Sequence, residues 1–174
     1  MNDPQRKRLH ELMVGTEFFT ADYYDAFGQR LALLLNQEFS VLLGHVLLDV
    51  LEEGGISPDD IDGIGAKMPL SALMASSITH AASSRGQSLN AFGYVAPHVF
   101  EHEIVTNTAS SFDLTGSSVV LLISRHDKPE DVMKVIEGLE NSGTQVKALL
   151  SLISHSQHDI ETFESVSLTY LYVF

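Results

Sequence analysis

The 174-residue sequence has no cysteine, and it has only 10 lysines and arginines against 23 aspartates and glutamates. Without cysteine, disulfide bonds, thiolate nucleophiles and cysteine-ligated metals are excluded. The excess of acids gives a formal net charge of -13, which repels nucleic acid and anionic membranes. We therefore expect neither as a partner. The length predicts a single domain that spans residues 1–174.

Long uninterrupted apolar runs are also missing. Residues 1–10 lack the apolar stretch of a secretory signal. The most apolar region, residues 31–51, is interrupted by five polar or charged side chains, namely Asn36, Gln37, Glu38, His45 and Asp49. These interruptions argue against a membrane-spanning helix. We therefore expect a soluble cytoplasmic protein.

Helix and strand patterns alternate along the chain. Apolar spacing together with proline and glycine boundaries predicts helices that begin at Pro4, Phe39, Pro69 and Pro129. Strand patterns occupy residues 61–65, 89–96, 102–107, 119–123, 146–153 and 167–174, with an exposed hairpin around Pro97 between the second and third. This alternation implies βαβ units and a mainly parallel sheet that is covered by helices on both faces.

In parallel sheets, ligands gather beyond the carboxyl ends of the strands. Here those ends are two turns, G-A-K-M-P at residues 65–69 and S-R-H-D-K-P at residues 124–129. The second turn stands between an apolar strand and an amphipathic helix, a common position for a phosphate site. The turn and the helix start that follows it carry three acids, however, and for Asp127, Glu130 and Asp131 we favour helix capping and dipole compensation over ligand or cation binding.

Four histidines are weaker candidates. His98 and His102 stand four residues apart beside Glu101 and Glu103, but Pro97 argues against the helix that would put both on one face. We favour exposed loop histidines over a metal site there. We also expect His155 and His158 to be solvated residues of a polar connector, rather than metal ligands or a general base.

Three segments resemble a known family. They are L-L-G-H-V-L-L-D-V-L at residues 42–51, D-G-I-G-A-K-M-P-L-S-A at residues 62–72, and V-V-L-L-I at residues 119–123 followed by V-M-K-V-I-E-G-L-E-N-S-G at residues 132–143. With the order of elements, they resemble the orotate phosphoribosyltransferases of the type I phosphoribosyltransferase family over residues 12–154. The resemblance implies an α/β fold with a mainly parallel sheet flanked by helices. It also implies a core at residues 39–154, a small N-terminal hood at residues 1–30, and dimerisation through residues 31–51.

The resemblance fails at the residues that carry the family's reaction. Family members end the signature strand in two acids, which contact the ribose of phosphoribosyl pyrophosphate, and a small Thr-Gly-Ser turn then holds the 5′-phosphate. Here Ile123 and Ser124 take the acid positions. In the turn, Pro129 removes a backbone donor, and the acids repel a phosphate.

Three other family features also differ. The Gly-Gly loop before the Pro-Leu helix becomes a shortened segment, in which Lys67 keeps the charge to bind an anion. The hairpin at residues 93–103 lacks the Lys and Arg that neutralise pyrophosphate. The N-terminal segment that holds orotate, here residues 16–22, has no basic residue.

These differences predict a degenerate, non-catalytic relative that binds a small ligand or a partner protein, as a homodimer or with a catalytic paralogue. One predicted site is a vestigial phosphoribosyl-binding turn of Ser124, Arg125, Asp127, Lys128, Glu130 and Asp131. The other is an anion-binding loop of Gly65, Ala66, Lys67 and Met68. We predict no catalytic residue, metal site or cofactor.

The alternative is a divergent active phosphoribosyltransferase that uses phosphoribosyl pyrophosphate and magnesium. It would need Lys67, Arg85 or Arg125 to bind the pyrophosphate, and Asp127 or Asp131 to meet the ribose.

Overall fold

The computed structural model describes residues 3–14, 16, 27–100 and 103–174. The helices among them are α1 (Pro4–Met13), α2 (Phe27–Leu34), α3 (Gln37–Glu53), α4 (Leu70–Ser84), α5 (Pro129–Asn141) and α6 (Gln157–Ser165), with a 3-10 turn at Pro58–Asp60. The strands are β1 (Gly63–Lys67), β2 (Asn90–Tyr94), β3 (His98–Phe100), β4 (Glu103–Val105), β5 (Thr108–Ala109), β6 (Ser118–Ile123), β7 (Gln145–Ser151) and β8 (Thr169–Tyr172).

The central sheet has the strand order β5-β2-β1-β6-β7-β8. Its neighbouring strands are parallel except at one edge, where β5 runs antiparallel to β2. Side chains of β6 alternate between two cores, because Val120 and Leu122 face α1 to α4 whereas Val119 and Leu121 face α5 and α6. The predicted mainly parallel sheet with helices on both faces is confirmed.

Local sequence signals account for most of the helix boundaries. The Asp3 carboxylate caps α1 by accepting the Gln5 N–H, and the Asn36 side chain caps α3 by accepting the Phe39 N–H. Past its C-terminus, α3 stops at Gly54, and Gly55 has a φ of +80°, which glycine adopts without strain. The four predicted helices therefore lie within a residue or two of their expected starts.

The predicted hairpin is wrong in its pairing. β4 pairs antiparallel with β3 in a separate two-stranded sheet, and not with β2 across Pro97. β2 pairs instead with β5, two residues that carry no strand pattern of their own. Pairing of such a short edge strand depends on its neighbour, so the sequence pattern alone does not reveal it.

The polar connector predicted before the last strand is in fact partly a helix. Ser156 begins α6 by accepting the Asp159 N–H at 3.2 Å and donating to its carboxylate at 2.7 Å. The Ser-x-x-Asp sequence is the signature of a capping box, a local signal that the prediction overlooked. α6 buries Phe163 against the sheet, and His158 lies on this helix as an exposed residue.

The N-terminal hood is described only in part. α1 packs against α3, with Leu9 and Met13 fully buried, whereas residues 17–26 lie outside the described residues. In the described part of the chain, no single helix has the length and hydropathy to cross a membrane. Only α2 and α3 taken together meet that test, and an 83° bend separates them.

Candidate functional site

The two predicted site segments meet at the carboxyl edge of the sheet. β1 and β6 are adjacent parallel strands, and Ala66 is in register with Leu122. The residues that follow are therefore neighbours too. Lys67 Nζ lies 3.1 Å from Asp127 Oδ1, so an ion pair joins the end of β1 to the turn after β6.

Asp127 closes its own turn. Its Oδ2 accepts the backbone N–H of Ser124 at 2.8 Å, and its own N–H donates to the Ser124 carbonyl at 2.8 Å. The His126 N–H donates to Ser124 Oγ at 3.4 Å. A carboxylate of the chain thus binds a backbone donor of the turn in which related folds are expected to hold a phosphate.

The expected helix-capping role of Asp127 is wrong. The residue at the N-cap position of α5 is Lys128, which makes no side-chain cap hydrogen bond. Asp127 lies one residue earlier, where its carboxylate turns back to Ser124. Glu130 and Asp131 do lie in the first turn of α5, where negative charge compensates the helix dipole.

The predicted anion-binding loop is mostly strand. Gly65 and Ala66 are buried in the middle of β1, and Lys67 is its last residue. A Cβ on Gly65 would lie 2.7 Å from a methyl group of Leu121 and would also collide with the Phe92 ring, so this glycine serves packing between strands. Only Met68 and Pro69 form the turn. Anion binding by Lys67 stays a prediction.

Arg85 cannot share this site. It follows the C-terminus of α4, which starts at the carboxyl edge and runs back along the sheet. There its guanidinium binds α3, at 2.7 Å from Asp49 and 3.4 Å from Glu52. The use of Arg85 that the active alternative allowed is therefore ruled out by its position.

A basic cleft opens on the α4 side of the sheet, with a volume of about 60 Å³. We use this name for the cleft lined by Arg30, Leu70, Met74, Arg125, His126 and Ser151, among others. Arg30 comes from α2 and is only 7% exposed. The sequence analysis missed it, although its i,i+4 spacing to the buried Leu34 marks the same helix face.

A second cavity, of about 160 Å³, lies on the α5 side. We call it the Tyr94 cavity after the last residue of β2, and its other lining residues include Lys67, Pro97, Asp127, Asp131 and Lys134. Tyr94 is 3% exposed. Burial, helped by the charge of Asp127, raises the pKa of Tyr94 well above its ordinary value, so the hydroxyl keeps its proton.

His155 is buried, which contradicts the prediction of a solvated loop residue. Its Nδ1 lies 2.7 Å from the Tyr170 hydroxyl, and that oxygen also accepts the His155 backbone N–H at 3.0 Å. Its Nε2 lies 3.3 Å from the Asp127 carbonyl oxygen. A neutral ring with the proton on Nε2 satisfies all these contacts, and burial lowers the pKa of His155.

Within residues 3–14, 16, 27–100 and 103–174, no group of three or more histidine and acidic side chains is arranged to hold a metal ion. His98 is an exposed residue of β3. Glu103 of the same predicted candidate is an exposed residue of β4, whereas Glu101 and His102 lie outside the described residues, as do residues 17–22 of the expected orotate segment.

Comparison with known proteins yields matches in structure only. No family model and no curated protein matches the sequence. Orotate phosphoribosyltransferase of Mycobacterium tuberculosis, in complex with 5-phospho-alpha-D-ribosyl 1-diphosphate, superposes with a TM-score of 0.72 at 18% identity, covering 99% of this chain and 90% of that one. A phosphoribosyltransferase of Corynebacterium diphtheriae gives 0.69 at 17% identity, covering 97% and 94%.

A more distant match is the orotate phosphoribosyltransferase of Aeropyrum pernix, with a TM-score of 0.57 at 15% identity over 81% of this chain and 73% of that one. The fold of this protein is therefore that of the type I phosphoribosyltransferases, as the sequence resemblance implied. At identities this low, the structural similarity establishes the fold but not the reaction. The reaction has to be argued from the residues of the site.

Proposed function

We propose that this protein is a non-catalytic protein with the phosphoribosyltransferase fold, and that it binds a small anionic ligand in the basic cleft. The observation that carries the first part is the position of the Asp127 carboxylate. It accepts the Ser124 N–H at 2.8 Å and pairs with Lys67 at 3.1 Å. The Ser124 backbone donor and the lysine at the end of β1 are thus both bound by the same carboxylate of the chain.

A phosphate entering this turn would meet charge of the wrong sign. To reach the Ser124 N–H it must displace Asp127, whose side chain is only 13% exposed and whose charge repels it. Asp131 adds a second negative charge at the start of α5, and Pro129 has no N–H to offer. These features support loss of phosphoribosyl pyrophosphate binding, and hence loss of transfer.

The basic cleft supports the proposal that the protein binds a small anionic ligand. In a chain with a net charge of -13, it brings Arg30, Arg125 and His126 to one opening. Arginine keeps its charge at all physiological pH values and binds planar anions such as carboxylates through two parallel hydrogen bonds. The Leu70 and Met74 side chains line the same cleft and provide apolar contact for the body of a small ligand.

The proposed absence of catalysis is tested by an assay for orotidine monophosphate with orotate, phosphoribosyl pyrophosphate and magnesium. The enzyme of Mycobacterium tuberculosis serves as the positive control. We expect no product above a blank without protein. Product formation by the wild type that is lost in the Lys67→Met variant would overturn the proposal in favour of a divergent active enzyme.

Ligand binding in the basic cleft is tested by a thermal-shift measurement with orotate and with inorganic phosphate, each at millimolar concentration. A ligand present at about a hundred times its dissociation constant stabilises the native state by about 2.7 kcal/mol, which is readily measured. We expect a shift with orotate that is reduced in Arg125→Gln and kept in Arg8→Gln, an exposed arginine of α1. No shift with either anion would contradict binding at this cleft.

A further inference from the structure

We infer that the Tyr94 cavity binds a small zwitterion of the amino-acid class. The cavity shares no lining residue with the basic cleft and lies on the opposite face of the sheet, between the end of β2 and the first turns of α5. This inference therefore goes beyond the proposed function and does not depend on it.

The first observation is the hydroxyl of Tyr94. The side chain is 3% exposed and lines the cavity, and no hydrogen bond from any described residue reaches its oxygen. The oxygen is not among the fully enclosed side-chain atoms that lack a partner, so it is open to the cavity. Because the hydroxyl keeps its proton, it can donate a hydrogen bond to an acceptor oxygen of a ligand in the cavity.

The second observation is the balance of charge around the cavity. Lys67 pairs with Asp127 at 3.1 Å, and Lys134 approaches Asp131 at 3.8 Å. Two ammonium and two carboxylate groups therefore face the same space. A simple anion would be repelled by the aspartates and a simple cation by the lysines. A molecule with one charge of each sign can instead pair each of its charges with an opposite charge of the cavity.

The third observation is the apolar part of the wall. Pro97, Val132 and Val135 line the cavity beside the charged groups. Such a wall accepts an aliphatic side chain, while the carboxylate of the ligand takes the Tyr94 hydroxyl and a lysine, and its ammonium takes Asp131. An α-amino acid with a small aliphatic side chain matches all three requirements.

The experiment is isothermal titration calorimetry with L-valine and with two analogues that each lack one charged group. Isovalerate lacks the ammonium and isobutylamine lacks the carboxylate. We expect L-valine to bind and both analogues to bind at least tenfold more weakly, since each loses a charged hydrogen bond. An analogue that binds as tightly as L-valine would overturn the zwitterion, and no measurable heat with L-valine would overturn the site.

A pair of matched variants locates the binding. Tyr94→Phe removes the buried hydroxyl and should weaken L-valine binding roughly tenfold, while Tyr172→Phe on β8, outside the cavity, should not. The melting temperature of unliganded Tyr94→Phe should not fall, because the hydroxyl has no hydrogen-bond partner among the described residues. Equal affinity in the wild type and Tyr94→Phe would contradict the assignment, whatever the orotate experiment shows for the basic cleft.

Discussion

The Nε2 atom of His155 lies 3.3 Å from the carbonyl oxygen of Asp127. The turn after β6 is thus held at two points, through the Asp127 carboxylate on the Lys67 side and through the Asp127 carbonyl on the His155 side. His155 is in turn fixed by Tyr170 on β8 and by edge-on packing against Phe163 of α6. The last part of the chain therefore supports the turn on which the proposed loss of activity depends.

The hydrogen bond from the Ser124 N–H to the Asp127 carboxylate should contribute more to stability than the ion pair of the same carboxylate with Lys67. Asp127→Ala leaves the Ser124 N–H without its acceptor, and we expect a loss of about 1–3 kcal/mol in the free energy of unfolding. Lys67→Met should cost less than about 1 kcal/mol, because the lysine side chain is 48% exposed and the ion pair is screened by water. Urea denaturation measures both, and an equal loss in the two variants would contradict this order.

Folding stability should fall as the pH drops below about 6.5, the ordinary pKa of histidine. Burial lowers the folded-state pKa of His155, so the unfolded chain binds the proton more readily. The contribution of His155 is complete above the unfolded-state pKa and is lost as the pH falls towards the folded-state value. Urea denaturation between pH 5 and 8 should show a flatter pH dependence for His155→Phe than for the wild type; parallel curves would contradict the prediction.

Gly44 should not tolerate alanine. A Cβ at this position of α3 would overlap the carbonyl oxygen of Ser77 on α4 and lie 2.7 Å from its carbonyl carbon. Backbone atoms cannot yield as a side chain does, so Gly44→Ala should destabilise the protein by about 1–3 kcal/mol. In contrast, Gly28→Ala on α2 has open space and should be neutral or stabilising by up to about 1 kcal/mol. Thermal unfolding compares the two, and a stable Gly44→Ala variant would refute the close packing of α3 on α4.

Ser167 is a site for stabilisation. It follows α6 with a φ of 62°, a left-handed conformation that glycine adopts without the strain a Cβ brings. Ser167→Gly should raise the free energy of unfolding by up to about 1 kcal/mol. The control is Ser165→Gly, at the last residue of α6, which should lower it by about 0.5 kcal/mol through lost helix propensity. A lower melting temperature for Ser167→Gly would count against this geometry.

The sequence predicts much of the fold because its signals are local. The Asp3 and Asn36 caps, the prolines that open helices and the apolar run of β6 are each read from a few neighbouring residues. The errors arose where structure depends on a distant partner. β5 is too short to show a pattern and exists through its pairing with β2. α6 is the exception, because its Ser156 capping box is a local signal that was overlooked.

The candidate site shows the same division. Its region was predictable, because the carboxyl ends of β1 and β6 must lie side by side in a parallel sheet. The roles within it were not, since Asp127 binds its own turn rather than capping α5, and Gly65 packs against Leu121 rather than lining a loop. Arg30, Tyr94 and His155 come from α2, β2 and the loop before α6, and each meets residues more than 25 positions away in the chain.

The sequence by itself determined the excess of negative charge, the exclusion of cysteine chemistry and the alternation of strands and helices that defines the fold class, since these follow from composition and short-range periodicity. Only the tertiary structure decided which charges neutralise one another. Lys67 pairs with Asp127 instead of remaining available to an anion. This pairing arises because two turns 60 residues apart in sequence meet at one edge of the sheet. Coulomb interactions act through space and not along the chain, so the residue types alone left that choice open.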